Sequence, residues 1–165
     1  MGYDVNIRRQ GLSALFDLKG AAEQITAWAG AHLPPLPGAP NSRSEKDGLQ
    51  LFFVGPDHWI LRAPIAQEEA LAEALKPETC PPDISIVRVS DTLTFFDVTG
   101  PDAGEVMAVA CPLDLHPSVF GAESVTYTET FGLKALVQRV EGGFEFAVEQ
   151  SFGNMVTDFL DRAVA

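Results

Sequence analysis

Basic residues are scarce: 11 Lys and Arg stand against 23 Asp and Glu, giving a formal net charge of −12 over 165 residues. A surface this acidic repels phosphate backbones and anionic headgroups, which argues against nucleic acid and membranes as partners. Cysteine is scarcer still. Cys80 and Cys111 stand alone, which makes neither a disulfide framework nor a zinc motif. No apolar run approaches the roughly 20 residues of a membrane span. Met1–Gln10 is polar and ends in Arg8 and Arg9, unlike a secretory leader. The expectation is a cytoplasmic chain with reduced thiols.

Catalytic signatures are missing as well. There is no glycine-rich dinucleotide or phosphate-binding loop and no nucleophile elbow. His32, His58 and His116 are scattered, without the spacing of metal ligands. Cys111 sits at the C-terminal end of an expected helix, where the dipole disfavours a thiolate. No catalytic residue, metal ligand or bound cofactor is expected on this chain.

What is present is an ordered alternation of strands and helices. Leu12, Ala14, Phe16 and Leu18 alternate with less regular partners, Leu15 among them, as in a half-buried strand that Gly20 ends. Ala21–His32 carries Ile25, Trp28 and Ala29 at helical spacing. The four prolines of Leu33–Pro40 make a stiff connection, followed by a polar loop over Asn41–Gly48. Leu49–Val54 and His58–Ala63, with Trp59, form a hairpin across Gly55-Pro56-Asp57. A short helix over Gln67–Lys76 and a strand from Ile84 to near Ser90 complete the order strand, helix, strand, strand, helix, strand, the ferredoxin-like pattern.

The second half has its own order. A strand over Thr92–Thr99 stops at Gly100-Pro101-Asp102, and Pro101 suits the first turn of the helix that follows. Ala103, Val106, Met107 and Ala110 form its apolar stripe, and Pro112 ends it. Ser124–Thr130, Leu133–Val140 and Phe144–Glu149 read as strands, with a turn at Gly142-Gly143. Phe152, Met155, Val156, Phe159 and Leu160 share one face of a last helix, with Ser151 as its cap. The expected fold is α+β in two small lobes, residues 10–90 and 91–165. The two Gly-Pro-Asp strings read as similar turns, one in each lobe.

One string stands out: Cys111-Pro112-Leu113-Asp114-Leu115-His116-Pro117. Two prolines make it rigid, and an acid and an imidazole lie two apart. Asp114 there either bonds nearby amides in a structured connection or belongs to a pocket or an interface.

This string, with Val98-Thr99-Gly100-Pro101-Asp102-Ala103 before it and Phe120 after it, resembles the most distinctive block of the gamma subunits of bacterial heterotetrameric sarcosine oxidases. Gly55-Pro56-Asp57-His58-Trp59-Ile60-Leu61, Val89-Ser90-Asp91 and Gln150-Ser151-Phe152 are similar to further blocks of that family. The resemblance implies a non-catalytic subunit whose partners are larger flavin-binding chains. The complex would oxidatively demethylate an N-methyl amino acid and pass the one-carbon unit to tetrahydrofolate, with flavins and folate on the partners. Cys111, Pro112, Leu113, Asp114, Leu115, His116 and Pro117 become candidates for the partner interface.

Gly100–Leu160 is also similar, more distantly, to the folate-binding domain of aminomethyltransferases such as the glycine-cleavage T-protein. The second lobe is therefore expected to share that domain's fold. Asp114 falls where those proteins carry an essential carboxylate, which makes it a folate-pocket candidate. The following strand, Gly132-Leu133-Lys134-Ala135-Leu136-Val137, departs from their acidic pattern. The alternatives are a free-standing folate-binding or aminomethyltransferase-like protein and a small ligand-binding ferredoxin-like domain.

Overall fold

The computed structural model describes residues 2–165. In chain order its elements are β1 (Asn6–Arg9), β2 (Ser13–Lys19), α1 (Ala22–Ala29), β3 (Arg43–Lys46), β4 (Leu49–Gly55), β5 (His58–Pro64), α2 (Glu68–Leu75), β6 (Ser85–Arg88), β7 (Leu93–Thr99), α3 (Ala103–Ala110), β8 (Val125–Thr130), β9 (Leu133–Val140), β10 (Gly143–Glu149) and α4 (Gly153–Val164). The fold is α+β, with two antiparallel five-stranded sheets ordered β3-β4-β5-β2-β6 and β1-β7-β10-β9-β8. The chain divides into two units. One is Leu12–Asp91; the other joins the N-terminal residues through Gly11 to Thr92–Ala165.

In the first unit Ala14, Phe16 and Leu18 of β2 meet Ile25 and Ala29 of α1 and Leu71 and Leu75 of α2 in one core. Leu15, which spoils a strict alternation, is fully buried, as suits a central strand with apolar side chains on both faces. Trp28 is half-buried and donates its indole N–H to the Leu75 carbonyl at 2.9 Å. Trp59 is buried and donates to Pro37 O at 3.0 Å, pinning the proline-rich connection to β5. Without β3, the strand order β4-β5-β2-β6 is the ferredoxin-like arrangement.

The second unit repeats this order with one exchange. Read outward from β8, its strands are β8-β9-β10-β7-β1, matching β3-β4-β5-β2-β6. Helices α3 and α4 follow β7 and β10, as α1 and α2 follow β2 and β5. The last place, filled by β6 in the first unit, is filled here by β1 from the other end of the chain. β1 carries no apolar alternation and is held by distant partners. Arg8 pairs with Asp97 at 2.7 Å, and Arg9 reaches Thr94 and Asn154 at 3.0 and 2.8 Å.

The internal echo is therefore real, but it does not run through the Gly-Pro-Asp strings. Gly55-Pro56-Asp57 turns the β4–β5 hairpin, whereas Gly100-Pro101-Asp102 leads from β7 into α3. The true counterpart of Gly100 is Gly20, and both have left-handed φ, 126° and 136°. The Gly100 amide donates to Gly142 O at the β9–β10 turn, and the Gly20 amide to Asp57 O at the β4–β5 turn, at 2.9 and 3.0 Å. A Cβ on Gly100 would lie 2.7 Å from Asp4 O, so only glycine fits beside that backbone.

Two polar segments are edge strands: β3 lies within the expected polar loop Asn41–Gly48, and β1 within the polar start of the sequence, for which no element was expected. Ser151 does not cap α4: its hydroxyl bonds Glu149 at 2.8 Å, and a 3₁₀ turn over Gln150–Phe152 delays the helix to Gly153. The apolar face of α4 is narrower than the sequence implies. Val156 and Leu160 are fully buried, Phe159 is half-buried against Phe131, and Phe152 and Met155 are exposed. Leu160→Ala should therefore cost about 2–5 kcal/mol, and Phe159→Ala only about 1–2 kcal/mol. Urea denaturation of the two variants measures the order; a larger loss for Phe159→Ala would refute this packing.

Candidate functional site

Helix α3 ends where proline forbids another turn. The Cys111 amide makes the last helical bond to Met107 O at 2.8 Å, and Cys111 itself is extended, with φ −127°. Its side chain is buried in the core beside Met107 and Phe120. Phe120 is buried at the far end of the connection. Between these two anchors Leu115 is half-buried, while Pro112, Leu113, Asp114, His116 and Pro117 are exposed.

The loop closes on itself. Asp114 Oδ1 accepts the backbone N–H of His116 at 2.9 Å, and among the described residues this is the carboxylate's one hydrogen bond. The His116 carbonyl accepts the amides of Val119 and Phe120 at 2.9 and 2.8 Å. His116 Nδ1 lies 2.7 Å from Ser118 Oγ and 3.2 Å from Ser118 N. Asp114 and His116 are thus brought together through backbone, not as a carboxylate–imidazole pair. Ser118 and His116 share a local turn in which one lone pair on Nδ1 faces two donors, so the serine gains no dedicated base.

A residue that sequence reasoning missed fixes this loop from below. Arg139, on β9, donates from Nε to Phe120 O at 2.6 Å and from Nη2 to Leu115 O. Its guanidinium lies 4.6 Å from the centre of the Phe144 ring, directly across the β9–β10 ladder. The fork geometry of arginine allows one side chain to hold two carbonyls. The available signal was a lone arginine at the end of an apolar strand.

Together these elements bound an open cleft of about 720 Å³. Gly100, Ala103 and Gly104 at the start of α3 form one wall, Cys111–Pro117 another, and Arg139 and Phe144 the floor. His58 stands apart in the first unit, bonded to Asp17, and His32 is exposed after α1. Among the described residues no group of three or more His, Cys, Asp or Glu is placed to hold a metal ion. Among the described residues no helix is long and apolar enough to cross a membrane.

A family model described as the sarcosine oxidase, gamma subunit family matches residues 41–165, which include the whole loop and cleft. The chain belongs to that family. The gamma subunit of sarcosine oxidase from Corynebacterium sp. (strain U-96) is 27% identical over 129 residues, 78% of this chain and 60% of that one. The gamma subunit from Arthrobacter sp. is 27% identical over 115 residues, 70% and 55% of the two chains. This gamma-family chain thus spans a little over half the length of these curated relatives.

Among solved structures, a chain of heterotetrameric sarcosine oxidase from Corynebacterium sp. U-96, in complex with pyrrole 2-carboxylate, superposes with a TM-score of 0.81. Its sequence identity is 24%, and the match covers 97% of this chain and 83% of that one. The glycine cleavage system aminomethyltransferase T from Bartonella henselae gives a TM-score of 0.69 at 16% identity, over 98% of this chain and 47% of that one. Both likenesses concern the fold alone.

Arg139→Met keeps the aliphatic stem and removes both donors. It should lower stability by about 2–3 kcal/mol, the scale of losing charged hydrogen bonds in a half-buried site. It should also speed amide exchange at Val119 and Phe120. Urea denaturation with residue-resolved hydrogen exchange measures both effects. Unchanged exchange at these two amides would show that the loop holds itself.

Proposed function

We propose that the chain is the non-catalytic gamma subunit of a sarcosine oxidase-like heterotetrameric flavoenzyme in the cytoplasm. The complex oxidatively demethylates an N-methyl amino acid and transfers the one-carbon unit to tetrahydrofolate. Flavins and folate sit on larger partner chains, and this chain contributes packing surface. The observation that carries the reading is the use made of Asp114: its carboxylate is bonded to an amide of its own loop. That bond gives the carboxylate a part in holding its own loop, the role a packing subunit asks of it.

The same loop is suited to an interface. Pro112 and Pro117 stiffen it, Arg139 fastens it, and Leu113 and Val119 are 36% and 66% exposed. Val109, on α3 just before the loop, is 62% exposed. Rigid apolar groups lose little conformational freedom on association, so their burial contributes more of its gross energy to binding. The segment Cys111–Pro117 is accordingly the proposed contact with a larger subunit, made by its exposed members and shaped from within by Cys111.

A second reading draws on the cleft and on the aminomethyltransferase likeness. The cleft is the size of a small-molecule site, and Asp114 lies on its wall. On that reading the chain binds folate itself and Asp114 engages the folate amine.

Asp114→Asn separates the two. Asparagine keeps an acceptor oxygen for the His116 amide, so stability should change by less than about 1 kcal/mol. In the complex reconstituted with its larger subunits, demethylation turnover and coupling to tetrahydrofolate should stay near the parent values. A hundredfold fall in an intact complex, the scale of a lost acid–base group, would establish the second reading instead.

A further inference from the structure

We infer that the free edge of β6 is a strand-addition site, built to take a basic, extended segment of a partner chain. The inference rests on the reading that this chain works within a larger assembly. It concerns a surface of the first unit, away from the Cys111–Pro117 loop in sequence and in unit.

The ladder fixes which backbone groups are available. β6 pairs with β2 in the register Phe16↔Arg88, Asp17↔Val87, Leu18↔Ile86 and Lys19↔Ser85. Just beyond it the Val89 amide donates to Leu15 O at 2.8 Å. That bond sets the alternation: Val89, Val87 and Ser85 exchange bonds with β2, while Ile86 and Arg88 direct their N–H and C=O groups away from it. β6 ends the sheet order, and among the described residues no strand lies beyond it. Two residues therefore direct two donors and two acceptors outward in the spacing an added strand requires, Arg88 on an exposed stretch and Ile86, 3% exposed, where it lines a groove beside α2.

A groove of about 440 Å³ runs along this edge, bounded by α2, the 3₁₀ turn Pro77–Thr79 and β6. Val87 is 48% exposed beside it, offering an apolar contact for an alternate side chain of the incoming strand. The charges lining the groove select the occupant. Glu69, Glu73 and Glu78 face a single Arg88. Arg88 is itself satisfied by Glu69 at 2.7 Å and Glu68 at 3.8 Å. The groove is left acidic, and an extended segment with Lys or Arg at alternate positions complements it.

The other short edges are differently made. β1 and β3 present Asn6-Ile7-Arg8-Arg9 and Arg43-Ser44-Glu45-Lys46, the charged edges that discourage pairing. β6 has only Arg88, and that side chain is folded back onto α2.

The probe is a ten-residue peptide of alternating Lys and Val, added to the isolated full chain, with a Glu and Val peptide as control. Residue-resolved amide exchange should slow by about tenfold or more at Ile86 and Arg88 with the Lys peptide. The effect should be absent with the Glu peptide and should weaken as salt rises. Arg88→Pro removes an outward amide without cutting the ladder to β2 and should abolish the protection, whereas Arg88→Ala should retain it. Glu73→Lys with Glu78→Lys should also abolish it, without touching the strand.

No protection, or equal protection at β1 and β3, would overturn the inference. Protection that grows with the chain's own concentration would do so too, since it would make the edge a self-association surface. In the co-purified complex the same two amides should be protected; their free exchange in an intact complex would dismiss the edge while leaving the partner reading in place.

Discussion

The cleft and its loop depend on one guanidinium. Arg139 lies near the end of β9, opposite Phe144 in the ladder with β10, and its amide bonds Ser124 O at 3.2 Å just beyond the ladder with β8. From there it binds two carbonyls five residues apart in the loop, those of Leu115 and Phe120. An irregular segment has few backbone partners of its own, and every unpaired carbonyl left half-buried is a cost. One forked cation resolves two of them at once and converts a connection into a fixed wall. A lysine in its place would lack the rigid planar fork that reaches both carbonyls and stacks on the Phe144 ring. The bonds from Asp114 and from the His116 carbonyl then act locally, on a frame already set by Arg139.

The two units solve the same problem with the same order of elements but close their sheets differently. In the first, the chain returns after α2 to lay β6 beside β2. In the second, the corresponding place beside β7 is taken by β1, which precedes the whole first unit in sequence. A strand supplied from so far along the chain needs side-chain anchorage that a hairpin strand does not. The Arg8–Asp97 pair and the bonds from Arg9 provide it. Gly153, the first residue of α4, leaves no room for a Cβ, because the Arg9 guanidinium occupies that space. The basic residues near the start of the chain, few as they are, thus have structural work within the second unit.

This explains what was legible in the sequence. The long strands and all four helices carry their own signal, since each buries one apolar face or stripe: Phe16 and Leu18 in β2, Phe146 and Val148 in β10, Val106 and Met107 in α3. The hairpin turns were legible through Gly and Pro. β1 and β3 were not, because β1 is held by β7 and the Arg8–Asp97 pair and β3 by its ladder with β4 and the Ser44 bond to Pro35 O, none of which leaves a period in the local sequence. The start of α4 was misplaced because Ser151 has a nearer partner, the Glu149 carboxylate. The exposure of Phe152 and Met155 was hidden for a different reason: an apolar face that continues onto the surface has the same spacing as one that is covered.

At the site the split is similar. Pro112, Pro117 and the end of α3 announced a rigid non-regular segment, and that segment does form a cleft wall. What the string could not show was the direction of its polar groups. Asp114 and His116, two apart, suggest a dyad in one dimension; in three, the carboxylate turns to a backbone amide and the imidazole to Ser118. Each of these bonds ties a polar atom of the loop to the loop's own backbone or to Ser118. The exposed side chains around it, Val109, Leu113 and Val119, are apolar and held by a stiff frame. What the loop's own hydrogen bonds and the Arg139 fork do fix is its shape, and with it where those three side chains sit.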